Sequence, residues 1–269
     1  MYIRTKQSTI DKLISKKMDF VAICTNYSIR IKSPLGNFII GETMKNSEIN
    51  FIQKVKRAVK AGDKKPPEYE PVWYYRFGSN IKDFKEAGDL WEVDLKSAYW
   101  EAAYKLKYLP EDIYKKGLVI DKKLRLKALG SLATKKKIIT YTAGQETDLK
   151  TERDEITTKI WFDICHQVGE LLGEGADRLI EKNLFAFFWT DAIFFKGTEE
   201  KAFIESLFHK AGYKFESRKI KAIEIIENFE GYKIPMIKVT DYPESIKNKS
   251  EERYFPLLKN KPKFFNNNQ

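Results

Sequence analysis

The sequence predicts an α+β fold, and three observations point to it. Short β-branched and aromatic runs bounded by turn residues occupy 19–43 and 184–240. A long amphipathic pattern over 155–183 has helical rather than strand period. The apolar run LFAFFWTDAIFFKG (184–197), broken only by Thr190 and Asp191, reads as an antiparallel hairpin.

In chain order, DFVAICTNYSIRIKSPLGNFIIGE (19–42) gives strands separated by the turn SPLG. A helix follows over SEINFIQKVKRAVKAG, with Phe51, Val55 and Val59 on one face and Gly62 as its stop. The proline-rich connector KKPPEYEP (64–71) closes an N-terminal α+β segment over 1–70. Beyond it come the strand VWYYRF (72–77), a charged loop over 79–89 and the strand LWEVDL (90–95), which feeds the helix SAYWEAAYKL. Residues 111–136 form a basic, mostly helical stretch with a break expected near Gly117. In the 155–183 helix, Ile160, Ile164, Val168, Leu171, Leu172, Leu179 and Ile180 mark the buried stripe. A helix (EEKAFIESLFHKAG), two strands (YKFE, KAIEII) and a third (YKIPMIKV) lead to a basic tail expected to fray.

The charge balance is strongly positive, with 49 Lys and Arg against 38 Asp and Glu, and 14% of residues are aromatic. Cations meet phosphates and rings stack on bases or sugars, so the composition favours a polyanion partner over a merely solubilising surface. Two widely separated cysteines, Cys24 and Cys165, argue against a disulfide framework or a zinc site. With only His166 and His209, a His-based metal site or a Ser-His-Asp triad is not expected, and any metal is expected to be hard and carboxylate-bound. The N-terminal stretch lacks a signal-peptide core and no run spans a bilayer, so a cytoplasmic protein without a membrane partner is expected.

Two aspartates share an unusual setting: Asp94 closes one apolar strand and Asp191 interrupts another. Each alone could be a strand-end residue bonded to backbone. Together on neighbouring strands they would repel unless cations lay between them, which is what two-metal phosphoryl transfer requires. The glycines of QVGELLGEGADRL have no preceding strand, so they are not read as a phosphate cradle.

The residues Asp94-Leu-Lys-Ser97-Ala-Tyr99 resemble the D-x-x-S-x-Y motif A of family B DNA polymerases, and Trp189-Thr190-Asp191-Ala-Ile-Phe is similar to their motif C, D-T-D-S-V-F. The resemblance covers about 90–225. It implies an antiparallel-sheet polymerase palm over 71–110 and 138–235, with fingers-like basic helices inserted at 111–137 and a C-terminal extension over 236–269. It further implies that Asp94 and Asp191 are catalytic and bind two Mg²⁺, for which Mn²⁺ can substitute, with the Leu95 carbonyl beside them. Ser97 and Tyr99 would meet the nucleotide, the Tyr99 ring disfavouring a 2′-hydroxyl. Motif B is recognisable only as LRLKALGSLAT: Leu126 stands where the family has Lys, leaving Lys123, Arg125 and Lys127 as candidate triphosphate ligands. Lys219 and Lys221 are candidate grips on the duplex. Trp189 replaces the first motif C Asp, Ala192 the usual Ser, and Trp100 a common Pro.

The implied partners are a DNA primer-template and dNTPs. Neither an exonuclease domain nor a full thumb fits in this length, so a further replication subunit supplying them is expected; a small Lys- and Asn-rich polymerase is associated with phage or mobile elements. A primase-like enzyme is disfavoured by Tyr99. A non-catalytic replication accessory with a degenerate palm is the main alternative. A metal-dependent nuclease ranks third, since it needs more carboxylates and often a Lys, and alternation is expected to turn Lys96 away from Asp94.

Overall fold

In the computed structural model, the described residues are 3–25, 28–41, 44–62, 64–67, 72–85, 88–229, 231–242 and 252–260. The last part of the connector (68–71) and the tail from 261 lie outside them. In chain order the elements are β1 (Ile3–Arg4), α1 (Ser8–Ser15), β2 (Phe20–Cys24), β3 (Ser28–Ser33), β4 (Gly36–Gly41), α2 (Asn46–Ala61), β5 (Tyr75–Phe77), β6 (Leu90–Leu95), α3 (Ala98–Lys105), α4 (Glu111–Val119) and α5 (Lys122–Gly130). They continue as β7 (Lys136–Thr142), β8 (Gln145–Glu152), α6 (Glu155–Glu181), β9 (Phe185–Trp189), β10 (Ala192–Lys196), α7 (Thr198–Lys210), β11 (Phe215–Ile226), β12 (Met236–Asp241) and β13 (Glu252–Pro256). Short 3₁₀ turns lie at Ile81–Phe84 and Ser131–Ala133. The fold is α+β, with sheets that are antiparallel apart from the β1–β4 pair. No helix among the described residues is long and apolar enough to cross a membrane.

The chain forms two compact units, the first made of residues 1–66 and 107–161, the second of 67–106 and 162–269. In the first, the strand order is β1-β4-β3-β2-β7-β8. Helix α1 turns Ile10 and Leu13 onto Phe20, Ala22 and Ile31, and the Phe20 and Tyr141 rings stack at 4.2 Å. Helix α2 buries Phe51, Val55 and Val59, as its spacing predicts, and contacts α5, whose buried residues are Ala128 and Leu129. The break in the basic stretch falls not at Gly117, which is buried inside α4, but at Ile120–Asp121. The reason is capping: the Asp121 carboxylate accepts the N–H groups of Lys123 (2.8 Å) and Leu124 (3.3 Å) and so starts a new helix. The hairpin β7–β8 pairs with β2, so 138–152, expected in the palm segment, belongs to the first unit's sheet.

The second unit is built on a seven-stranded sheet ordered β13-β12-β11-β6-β10-β9-β5. Within it, β6, α6, β9, β10, α7 and β11 come in that chain order, with α3 to β8 between β6 and α6, and the spatial order is β11-β6-β10-β9, a split βαβ arrangement in which every neighbouring pair is antiparallel. The two strands expected at YKFE and KAIEII are one, β11, because its pairing with β6 runs unbroken from Phe215 to Ile220. The 236–269 extension supplies β12 and β13 to the same sheet.

One face of this sheet carries the helices. Ile193 lies close to the spot a Cβ on Gly175 would occupy, as does Ile204 of α7, and Ser217 donates to Glu205 of α7 (2.6 Å). Val93 pairs with both Ile193 and Ser217, so it shares that face. The predicted α6 stripe is buried except at Ile180, which is 38% exposed. The other face gathers Leu90, Phe187, Phe194, Ile220, Ile237 and Val239. The sheet curls over it. Phe255 on edge strand β13 reaches Phe187 (5.4 Å) and Phe194 (5.7 Å), and the Asn260 side chain exchanges two 2.8 Å hydrogen bonds with the Phe77 backbone on the opposite edge.

Gly169 explains part of the glycine pattern in α6. A Cβ there would come within 2.6 Å of the Trp73 carbonyl, a backbone atom that cannot swing away. Gly169→Ala is therefore expected to destabilise the protein by about 1–3 kcal/mol, read from the urea midpoint.

Candidate active site

Asp94 is the penultimate residue of β6, and Ala192 sits directly opposite it on β10. Asp191 immediately precedes Ala192 in the two-residue turn joining β9 to β10. The Asp191 carbonyl accepts the Leu95 N–H at 2.9 Å, so the two predicted aspartates come to the same end of adjacent strands. The turn is anchored twice more: Thr190 N–H donates to the Tyr74 carbonyl (2.6 Å), and the Thr190 hydroxyl donates to an Asp191 carboxylate oxygen (2.8 Å).

Tyr99, the second residue of α3, donates its hydroxyl to the Thr190 carbonyl at 3.1 Å. Burial pushes the Tyr99 phenol well above its usual range, with Cys165 and Asp191 adding to the effect, so it remains a donor. The helix bearing one candidate motif is thus tied to the turn bearing the other.

Both turns also hold a non-glycine residue in the left-handed region, Ser97 at φ 55° and Thr190 at φ 55°. Side chains there cost energy, and such conformations cluster where function over-determines the backbone. Ser97 makes no side-chain cap to α3 that would offset the cost. Ser97→Gly is expected to raise stability by about 0.5–1 kcal/mol in urea unfolding.

A third carboxylate lies beside Asp94. On its other edge β6 pairs with β11, and Glu216 stands opposite Asp94 there. Lys96 does not turn away from Asp94. Residues two apart on a strand share a face, and the Lys96 N–H still bonds to the Lys214 carbonyl (2.7 Å), which keeps the strand geometry going. Its Nζ is 3.8 Å from Asp94 Oδ2 and closely ion-paired with Glu216.

Deeper on the same face lies an ionic network. Glu92, two residues before Asp94 and 2% exposed, accepts hydrogen bonds from both Arg253 Nη atoms at 2.9 and 2.8 Å and from Arg218 Nη2 at 3.3 Å, and Arg218 is ion-paired to it. Arg253 also grips Asp241, itself 2% exposed, with two bonds of 2.9 and 2.8 Å. Burial pushes the Glu92 carboxyl up, opposed by Arg253 and Arg218, and nearby Asp94 pushes the same way as burial.

Trp189, where the resembling motif has its first Asp, is a packing residue. It stacks on Tyr75 at 5.3 Å and contacts Phe255 at 5.9 Å. Leu95 is buried and Ser97 half-buried, both beside the aspartates. The remaining candidates lie on other elements. Lys219 pairs with Trp91 in the row of the helix-bearing face, opposite to Asp94, and Lys221 is exposed further along β11. Lys123, Arg125 and Lys127 lie on α5 of the first unit, and Arg125 is engaged in capping α4 through the Gly117 carbonyl (3.0 Å).

Sequence reasoning missed Glu92, Glu216, Arg218, Asp241 and Arg253. Glu92 carried a signal, a charge inside an apolar strand two residues from Asp94. Glu216 carried none, because register between distant strands is not written locally. Among the described residues no group of three or more His, Cys, Asp or Glu side chains is arranged to enclose a metal. Two aspartates at the same end of adjacent strands still suit Mg²⁺, which keeps several waters and is held by one or two carboxylates plus substrate phosphates. No known protein family, characterised protein or solved structure matches this chain.

Proposed function

We propose that the second unit is a polymerase-type palm and that the protein transfers nucleotides from dNTPs to the 3′-hydroxyl of a DNA primer. The observation that carries this reading is the meeting of Asp94 and Asp191 at the ends of adjacent central strands of a split βαβ unit. A fold alone does not specify chemistry; the weight rests on two aspartates at the same end of adjacent strands in a basic protein.

In this mechanism Asp94 and Asp191 are the residues that would hold divalent cations, and such cations would supply acidification of the attacking hydroxyl and charge balance on the departing pyrophosphate. The Leu95 carbonyl would offer a further oxygen. The Thr190 hydroxyl orients the Asp191 carboxylate through its 2.8 Å bond, and the Leu95 N–H fixes the turn against β6. Tyr99, fastened to Thr190, presents a fixed ring for the sugar to pack on, and a 2′-hydroxyl would meet it. Such positioning, rather than covalent chemistry by the protein, is what phosphoryl transfer demands of its scaffold.

A second reading is favoured by one observation. Trp189 fills the first motif C position with a stacked ring, as a non-catalytic nucleic-acid-binding accessory could tolerate.

Primer extension separates the two. Wild-type protein with a primed DNA template, Mg²⁺ and dNTPs should lengthen the primer, and NTPs should serve poorly. No extension with dNTPs or NTPs, alongside salt-sensitive DNA binding, would favour the accessory.

A further inference from the structure

We propose that Lys96 is the phosphate-binding cation of this site, held in reserve against Asp94 and Glu216 until a divalent cation and a nucleoside triphosphate arrive; this rests on the nucleotidyl-transfer reading.

The cations sharing Asp94's surroundings differ in how they are committed. Arg218 and Arg253 are bound to Glu92 and Asp241, carboxylates that are almost fully buried. Withdrawing either guanidinium would strand a buried charge, so neither can turn to a substrate. Lys96 is different. Its side chain is 44% exposed and its close partner Glu216 is 55% exposed. Ion pairs of that exposure are worth about 0–1 kcal/mol, so exchanging one for a phosphate oxygen is nearly free.

The geometry supplies the trigger. Lys96 Nζ is 3.8 Å from the Asp94 carboxylate that the mechanism assigns to a divalent cation. An ammonium and a divalent cation compete for the same oxygens, and once the metal is there the two repel. The flexible four-carbon stem then carries a compact charge to the nearest anion, which in a loaded site is the triphosphate. Phosphate neutralisation is thereby assigned to the residue that immediately follows the strand carrying Asp94, in place of the α5 cations Lys123, Arg125 and Lys127.

The two halves of the proposal have opposite signs. Without nucleotide, Lys96 is a competitor of the metal; with nucleotide, it is a ligand of the substrate. The test uses the full chain and two equilibrium measurements: Mn²⁺ titration by electron paramagnetic resonance without nucleotide, and calorimetric binding of a non-hydrolysable dNTP analogue with Mg²⁺ present. Lys96→Met should bind Mn²⁺ about two- to fivefold more tightly than wild type. It should bind the triphosphate about ten- to a hundredfold more weakly, with binding of the matching nucleoside unchanged. Lys96→Arg should restore most of the triphosphate affinity, a rescue that a purely structural role would not show.

Unchanged triphosphate affinity in Lys96→Met overturns the phosphate role, and weaker Mn²⁺ binding overturns the reserve role. Wild-type protein that binds neither Mn²⁺ nor triphosphate removes the nucleotidyl-transfer reading itself, and the Lys96 role with it.

Discussion

Asp191→Asn should lower the rate of primer extension by about a thousandfold or more, and Asp94→Asn should do the same, while affinity for primed DNA changes little. Lewis-acid stabilisation by a bound metal supplies several kcal/mol to the transition state, and each 1.36 kcal/mol is about a factor of ten in rate. Asn keeps the size and one oxygen of Asp, so Thr190 can still donate to it and the turn keeps its bonds to Leu95 and Tyr74. The substitution removes charge and leaves shape. A structural role for either Asp would instead appear as lost stability with activity retained. Single-turnover extension at saturating primer-template distinguishes the two.

The second large effect is on stability. Arg253→Ala should destabilise the protein by about 3–5 kcal/mol, because it leaves Glu92 and Asp241, each 2% exposed, with their shared cation gone. Arg218 still reaches Glu92, but among the described residues only Arg253 links both carboxylates, through four bonds. Arg253→Lys should recover part of the loss, since one ammonium cannot reproduce two bidentate contacts. In a double-mutant cycle, Glu92→Gln should offset some of the cost of Arg253→Ala, as a neutral side chain no longer needs a counter-charge. Additive losses would mean the two residues act independently. Urea unfolding supplies all four corners of the cycle.

Local signals in the sequence located most of the elements. The spacing of Phe51, Val55 and Val59, the hairpin at 184–197 and the strand ending at Asp94 all appear where their patterns place them. Capping chemistry was legible too: Asp121 is the kind of residue that starts a helix, yet the expected break went to Gly117 because Gly reads as a stop when its neighbours are unknown. What lay beyond reach was pairing. Nothing near 136–152 says that the hairpin joins β2, and nothing near Glu216 says that it will stand opposite Asp94. Register between strands far apart in the chain comes from the packing of whole faces, not from local residues. Lys96 was a different matter. Strand periodicity alone puts residues 94 and 96 on one side, so its contact with Asp94 was available from the sequence. The buried network was half visible, with Glu92 marked by its apolar neighbours and Arg253 hidden in a C-terminal stretch that reads as surface.

The claim at the centre of this account is that Asp94 and Asp191 act as one metal-binding centre. A double-mutant cycle on Mn²⁺ affinity addresses it without depending on activity, using wild type, Asp94→Asn, Asp191→Asn and the double variant, with folding checked by circular dichroism. The account predicts that either single substitution removes most of the Mn²⁺ affinity and that the second adds little. Single variants that both retain wild-type affinity, or losses that simply add, would contradict it.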